Sequence, residues 1–142
     1  MQQIIIASHG YFASGIEDSI KFLIGARDNI EFISAYRDNI PDNNVLERRI
    51  EEILIKCKDK TVVMFTDIKG GSITNTAVSL LPKYKNLNIV SGSSLALVLE
   101  YIINSEDSEE RDYKQVIEES IVQAQDNMIY INKLIEGGNE ID

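Results

Sequence analysis

The chain has 142 residues, of which 44% are hydrophobic, so it can bury the core of one ordinary domain. Its formal net charge of -9 argues against a role in binding nucleic acid or an anionic membrane surface. The lone cysteine, Cys57, excludes an internal disulfide framework, and no apolar run approaches the roughly 20 residues of a membrane span. We therefore expect a single cytoplasmic domain over residues 1–142.

The first predicted element is a strand that ends at the only histidine of the protein. Three consecutive isoleucines at residues 4–6, followed by small residues, indicate a strand that is buried on both faces. His9 stands at its carboxyl end, and Gly10 turns the chain there. Open α/β proteins bind their ligands at the carboxyl ends of parallel strands. His9 is therefore the first candidate functional residue.

The rest of the chain alternates between helical and extended patterns. Apolar residues at helical spacing predict helices over residues 16–24, 46–54, 73–81, 95–102 and 113–124. Runs rich in β-formers predict strands over residues 30–36, 61–66 and 87–90. Residues 106–112 are highly charged, as a solvated connector is, and the β-branched alternation of residues 128–135, MIYINKLI, favours a final strand.

This order of elements predicts an α/β fold with a parallel sheet that is wound by right-handed crossovers, with helices on both of its faces. The flavodoxin-like arrangement, here with the strand order 2-1-3-4, places the first strand beside the third. The carboxyl ends of these two strands carry His9 and Asp67, so we expect the two side chains to be neighbours.

An aspartate next to the histidine would define what the imidazole can do. A carboxylate that accepts the Nδ1 proton fixes the tautomer and leaves a free lone pair on Nε2. That arrangement serves a nucleophile and a general base equally well.

The Gly70-Gly71-Ser72 sequence precedes the third predicted helix. Two glycines at a helix start let backbone N–H groups approach an anion closely, and the helix dipole favours negative charge there. The alternative is a tight turn without a ligand, in which Ser72 or Thr74 caps the helix. An anion cradle beside a nucleophilic imidazole suggests that the anion is a phosphoryl group carried by the histidine.

The residue inventory argues against other chemistries. One histidine and one cysteine cannot supply the usual ligand set of a zinc site. The chain contains no G-x-S-x-G nucleophile elbow, no Walker A sequence and no G-x-G-x-x-G sequence, so neither a serine hydrolase nor a nucleotide-binding protein is supported. We expect no metal and no cofactor.

Two motifs follow the first and third predicted strands at a definite spacing. The first is SHG at residues 8–10, with FASG at residues 12–15, and the second is D-x-x-G-G-S-x-x-N over residues 67–75. Together they resemble the signatures of the mannose-class (mannose/fructose/sorbose) IIA domain of the bacterial phosphoenolpyruvate-dependent sugar phosphotransferase system. The similarity extends over residues 3–135, nearly the whole chain.

The third family signature is matched less well, at residues 91–100. Ser94 and Ala96 stand where the family usually has asparagine and proline, and Ile73 stands where proline is common. These departures leave the resemblance at the histidine intact and bear instead on the substrate grouping and the choice of partner.

The resemblance implies a four-stranded parallel sheet with a fifth strand, at residues 128–135, that is exchanged between the subunits of a homodimer. It also implies roles for the candidate residues. His9 is the phosphorylated histidine, Asp67 orients it, and the loop of Gly70, Gly71 and Ser72 holds the phosphoryl oxygens.

The implied function is that of a protein-histidine phosphotransferase of the sugar phosphotransferase system. Such a domain accepts a phosphoryl group from the histidine of HPr and passes it to a IIB domain. The membrane components IIC and IID then take part only indirectly. The alternative is a regulatory or signalling module, or a phosphodonor of a dihydroxyacetone kinase, that uses the same phosphohistidine.

Overall fold

The computed structural model describes residues 1–107 and 112–138. These form two compact units, one over Met1–Leu95 and one over the described residues from Ala96 onwards. The first unit alternates strands with helices: β1 Gln2–His9, α1 Phe12–Ile24, β2 Ile30–Ala35, α2 Asn43–Lys56, β3 Thr61–Thr66, α3 Ser72–Leu80 and β4 Leu87–Val90. Three further helices follow: α4 Leu95–Glu106, α5 Tyr113–Gln125 and α6 Ile131–Glu136. Within the described residues, no helix is long and apolar enough to cross a membrane.

The four strands form one parallel sheet in the order β2-β1-β3-β4, as predicted. The two central strands are β1 and β3, and their apolar runs are buried on both faces because helices cover both. The register aligns His9 with Ala35 of β2 and Ala7 with Thr66 of β3. The ends of β1, β2 and β3 therefore reach the same edge of the sheet.

Side chains alternate between the two faces of β1. Ile5 and Ala7 belong to a core cluster shared with α2 and α3, whereas Ile4 and Ile6 point to the opposite face, where α1 packs against β1 and β2. The α2 and α3 side chains of this cluster are Leu46, Ile50, Ile53, Leu54, Ile73, Ala77 and Leu80. Burial of each large aliphatic side chain contributes about 1.5–3 kcal/mol to folding.

Local signals set the ends of several helices. Gly25 ends α1, and its positive φ of +83° is a conformation that glycine adopts readily. Asp42 begins α2, and its side chain accepts a hydrogen bond of 2.9 Å from the Val45 N–H. In the second unit, Asn104 of α4 donates hydrogen bonds to Ser120 and Gln123 of α5.

The prediction of a strand over residues 128–135 is wrong, because Ile131–Glu136 is a helix. Ile131, Leu134 and Ile135 are spaced as on one face of a helix, and a short extended segment is stable only when it hydrogen-bonds to another strand. The connector predicted over residues 106–112 was placed one residue too early, since α4 includes Glu106 and the connector begins at residue 107. Residues 108–111 of this connector and the tail at residues 139–142 lie outside the described residues.

Candidate active site

The sheet brings His9 and Asp67 into direct contact at the carboxyl ends of β1 and β3. The Oδ2 atom of Asp67 accepts a hydrogen bond of 2.7 Å from the backbone N–H of His9 and lies 2.9 Å from His9 Nδ1. An ionised carboxylate can only accept, so Nδ1 carries a hydrogen and the Nε2 atom of the neutral ring has a lone pair. The His9 side chain is 41% exposed, whereas Asp67 is 12% exposed. The imidazole is thus accessible and its carboxylate partner is largely buried.

Opposing effects act on the carboxyl group of Asp67. Burial raises its pKa. The hydrogen bonds from the His9 backbone and ring, together with the charge of a protonated ring, lower the pKa by more than burial raises it, so the pKa lies below its ordinary value. The Oδ1 atom also accepts a bond of 2.9 Å from the N–H of Ile68. Asp67 is therefore ionised at neutral pH and remains an acceptor for Nδ1–H.

The loop between β3 and α3 is held by its own hydrogen bonds. Thr74 Oγ1 donates to the Ile68 carbonyl at 2.7 Å, the Gly71 N–H donates to the same carbonyl at 3.1 Å, and the Asn75 amide donates to the Gly70 carbonyl at 3.2 Å. Gly70 has φ +79°, a conformation that favours glycine. Neither Ser72 nor Thr74 caps the helix, so that expectation is wrong; the cap is Gly71, and it makes no side-chain hydrogen bond.

Gly71 and Ser72 lie beside the imidazole ring of His9. A Cβ atom on Gly71 would stand 3.3 Å from His9 Cε1 and 3.2 Å from the Ile68 carbonyl oxygen, so the close approach leaves little room for a side chain. Ser72 Oγ lies 3.4 Å from His9 Nε2. The first N–H groups of α3 have no partner within the helix, and they follow directly from Gly71. Gly70 shapes the turn, while Gly71 and Ser72 adjoin the ring.

Tyr36 is a neighbour of His9 that the sequence reasoning did not single out. It follows β2 directly, and its ring centroid lies 5.6 Å from that of the imidazole, with the two planes tilted by 47°. The signal that could have identified it was the strand order, because β2 also ends beside β1. A residue that immediately follows β2 falls at the same edge as His9.

These side chains define the chemistry that is available at the sheet edge. Within residues 1–107 and 112–138, no three histidine, cysteine or acidic side chains converge to hold a metal ion. The groups that do converge are an imidazole in a fixed tautomer, a helix N-terminus and a hydroxyl. Such a set suits a histidine nucleophile that carries an anionic group.

The fold and the site together define a parallel α/β domain with a histidine–aspartate pair at its strand ends. The sequence matches the family described as PTS system fructose IIA component over residues 3–128. This match covers most of the chain, so the protein belongs to the mannose/fructose-class IIA family of the sugar phosphotransferase system. No curated protein sequence gives a significant match.

Solved structures of phosphotransferase components have the same fold. One from Klebsiella pneumoniae, described as a phosphoenolpyruvate-dependent sugar phosphotransferase system permease, is 27% identical, with a TM-score of 0.81 over 94% of this chain and 93% of that one. The component EIIA of Streptococcus agalactiae is 21% identical, with a TM-score of 0.81 and coverage of 94% and 99%. The mannose/sorbose-specific IIA subunit of Enterococcus faecalis is 19% identical, with a TM-score of 0.78 and coverage of 91% and 93%.

Proposed function

We propose that this IIA protein is a phosphoryl carrier that accepts phosphate from phospho-HPr on His9 and passes it to a IIB domain during sugar uptake. The observation that carries the proposal is the contact between His9 Nδ1 and Asp67, which leaves the lone pair of the exposed Nε2 free. Membership of the IIA family supports it, because such proteins are phosphotransfer components. The protein is thus a protein-histidine phosphotransferase, and it works in the cytoplasm.

The proposed step moves one phosphoryl group between two imidazole rings. The lone pair of His9 Nε2 attacks phosphorus, the new N–P bond forms, and the N–P bond of the donor phosphohistidine breaks. The bonding electrons of the broken bond return to the donor nitrogen. The Nδ1 hydrogen of His9 stays on the ring and is donated in a hydrogen bond to Asp67. The carboxylate of Asp67 stabilises the positive charge that develops on the ring. Discharge to a IIB domain is the same step in reverse.

The loop before α3 is proposed to bind the phosphoryl oxygens. Phosphoryl transfer spreads negative charge over three oxygens, and the protein accelerates it by positioning the groups and stabilising that charge. The free N–H groups and the positive end of the α3 dipole favour an anion beside Gly71. Ser72 adds a hydroxyl 3.4 Å from Nε2, and Gly70 provides the left-handed turn.

The first experiment is phosphoryl transfer from phosphoenolpyruvate through enzyme I and HPr, followed by mass spectrometry of the product. We expect an acid-labile addition of one phosphate on His9, and none on the folded His9→Ala variant. Since the chain contains no other histidine, a labelled His9→Ala protein would contradict the assignment outright. Circular dichroism of the variant provides the control for folding.

A second step separates transport from regulation. A purified IIB domain added to the phosphorylated protein removes the phosphate if the protein is a relay. Stable retention of the phosphate in the presence of IIB domains favours the alternative, a regulatory or signalling module. Transfer to the subunits of a dihydroxyacetone kinase would assign the protein to that system instead.

The partners form the last part of the proposal. The net charge of -9 favours docking of a carrier with a basic contact surface. A homodimer is supported by the exposed apolar side chains before and within α6, since contiguous apolar surface is typical of an interface. These side chains are Met128, Ile129, Tyr130, Ile131 and Ile135. Sedimentation analysis tests this: we expect a dimer that Tyr130→Lys weakens, and a monomeric wild-type protein at micromolar concentration would contradict it.

A further inference from the structure

Tyr36 occupies an unfavourable backbone conformation next to the candidate active site. Its φ angle is +65°, in the left-handed region that bulky residues rarely adopt. The loop holds it there, since the Tyr36 N–H donates a hydrogen bond of 2.6 Å to the carbonyl of Ile40. Residues in such conformations concentrate at functional sites, where the surrounding structure enforces them. The conformation places the ring of Tyr36 against that of His9.

The hydroxyl of Tyr36 begins a chain of polar contacts that ends at the nucleophilic nitrogen. Tyr36 donates a hydrogen bond to Asn43 Oδ1 at the start of α2 and also contacts Ser72 Oγ at the start of α3. Ser72 Oγ in turn lies 3.4 Å from His9 Nε2. Ser72 Oγ is therefore closer to the hydroxyl oxygen of Tyr36 than to His9 Nε2.

The hydroxyl hydrogens in this chain are too few for every contact. Each of three contacts needs a hydrogen: that of Asn43 with Tyr36, that of Tyr36 with Ser72, and that of Ser72 with His9 Nε2. Asn43 Oδ1 and Nε2 both act as acceptors and supply none. Only the two hydroxyl groups can supply one. The Tyr36 hydrogen goes to Asn43, so the oxygen of Tyr36 accepts the Ser72 hydrogen. Ser72 then presents a lone pair, and no hydrogen, to Nε2.

We propose that Tyr36 is a positioning residue, which accepts the Ser72 hydroxyl hydrogen and thereby keeps the lone pair of His9 Nε2 free to attack phosphorus. This inference rests on the proposed function, to which it adds the control of one hydrogen. Once the N–P bond has formed, Nε2 has no lone pair in the ring plane. The Ser72 hydroxyl can then rotate and donate to a phosphoryl oxygen.

The first test is Tyr36→Phe, which keeps the ring beside His9 and removes the acceptor for Ser72. The Ser72 hydrogen then turns to Nε2 and occupies its lone pair. We expect the ¹⁵N signal of the non-protonated Nε2 to move to lower chemical shift, and phosphorylation to slow roughly two- to tenfold, the value of one hydrogen bond. Only one imidazole is observed, because His9 is the only histidine. Tyr84→Phe, which removes a hydroxyl bonded to Glu51, is the control and should change neither quantity.

A second variant reaches the same hydrogen from the other end of the chain. Asn43→Ala removes the acceptor for Tyr36, whose hydrogen then turns to Ser72 and releases the Ser72 hydrogen to Nε2. The ¹⁵N signal of Nε2 should move in the same direction as in Tyr36→Phe, although Tyr36, Ser72 and His9 are all unchanged. This variant also guards against a fold disturbance that is peculiar to position 36.

A double-mutant cycle decides whether Tyr36 acts through Ser72. In the Ser72→Ala background, Tyr36→Phe should alter neither the rate nor the Nε2 signal, since no serine hydrogen is left to redirect. An equal loss of rate in both backgrounds, or an unchanged Nε2 signal in Tyr36→Phe, would overturn the inference. A wild-type protein that accepts no phosphate overturns the proposed function instead. The Nε2 signal of the unphosphorylated variants still reports on the hydrogen in that case.

Discussion

Replacement of Asp67 by asparagine is the most direct perturbation of the site. The Oδ2 atom of Asp67 accepts from both the backbone N–H and Nδ1 of His9, and Oδ1 accepts from the N–H of Ile68. The asparagine amide has one acceptor oxygen and one NH₂ donor, so it cannot satisfy both sides. With its oxygen toward His9, the amide opposes the Ile68 N–H. With its NH₂ toward His9, it forces Nδ1 to accept and moves the ring hydrogen to Nε2.

The size of the effect follows from these contacts. The variant loses a charge-assisted hydrogen bond to the ring, worth about 1.5–3 kcal/mol, at the point where positive charge develops during transfer. That range corresponds to roughly a 10- to 150-fold lower rate of phosphorylation. The fraction of molecules with hydrogen on Nε2 lowers the rate further, because that tautomer has no lone pair to offer.

Two measurements check this prediction. Quench-flow phosphorylation by phospho-HPr gives the rate, and ¹⁵N-labelling of the single histidine reports directly which ring nitrogen carries the hydrogen. The wild-type protein should show hydrogen on Nδ1, and Asp67→Asn a mixture or the reverse. A rate within twofold of the wild type, with hydrogen still on Nδ1, would refute the role given to Asp67.

The effect of Asp67→Asn on the free energy of unfolding should depend on pH. The pKa of Asp67 is lowered in the folded protein, so its ionised form stabilises the fold. This contribution is fully present above the unfolded pKa of about 3.9 and is lost as the pH falls through the lower folded pKa. Urea unfolding should therefore show that the stability difference between wild type and Asp67→Asn shrinks below about pH 4. A difference that grows on acidification would contradict the assignment.

Three other substitutions separate the site from the scaffold. Gly71→Ala places a methyl group 3.3 Å from His9 Cε1, so we expect slower phosphorylation and a shifted imidazole signal in a folded protein; unchanged kinetics would contradict this. Gly15→Ala, within α1 and with no atom from beyond the neighbouring helix backbone within 4 Å of the new methyl, is the matched control and should raise the unfolding free energy by about 0.5–1 kcal/mol. Leu54→Ala, at a fully buried position, should lower it by about 2–5 kcal/mol without changing the transfer rate at temperatures where it remains folded.

The strands and their order were predictable because continuous apolar runs mark the central strands, and runs rich in β-formers mark the other two. Residues 61–66 and 87–90 were located to the residue, and alternation with helices allowed few sheet orders. The pairing of His9 with Asp67 then followed from topology alone, since parallel neighbours end at the same edge. The strand pattern could not indicate the phosphoryl chemistry, which was inferred from the Gly70-Gly71-Ser72 sequence near His9 and from the resemblance to the IIA family.

Two features could not be predicted from the pattern of apolar and β-forming residues in the sequence. The segment at residues 128–135 fits both a period of two and a period near 3.6, so its conformation depends on contacts that periodicity does not encode, and it became helical from Ile131. The sequence predicts Tyr36 as the last residue of a strand because tyrosine is a good β-former. Its left-handed backbone is accompanied by a hydrogen bond to Ile40, four residues later, within a loop whose conformation the β-forming pattern does not indicate.

One carboxylate oxygen links the fold to the chemistry. Asp67 Oδ2 binds the backbone N–H at the end of β1 and the ring of the same residue, His9. The backbone contact fixes where the aspartate stands relative to the strand, and the ring contact fixes where the imidazole hydrogen lies. A shift of β1 by one residue against β3 would move the His9 N–H away from Asp67 and reverse the face on which the side chain lies. The tautomer of His9 is therefore set by the register of two buried strands. For this reason we expect core substitutions to leave transfer unchanged until they unfold the sheet itself.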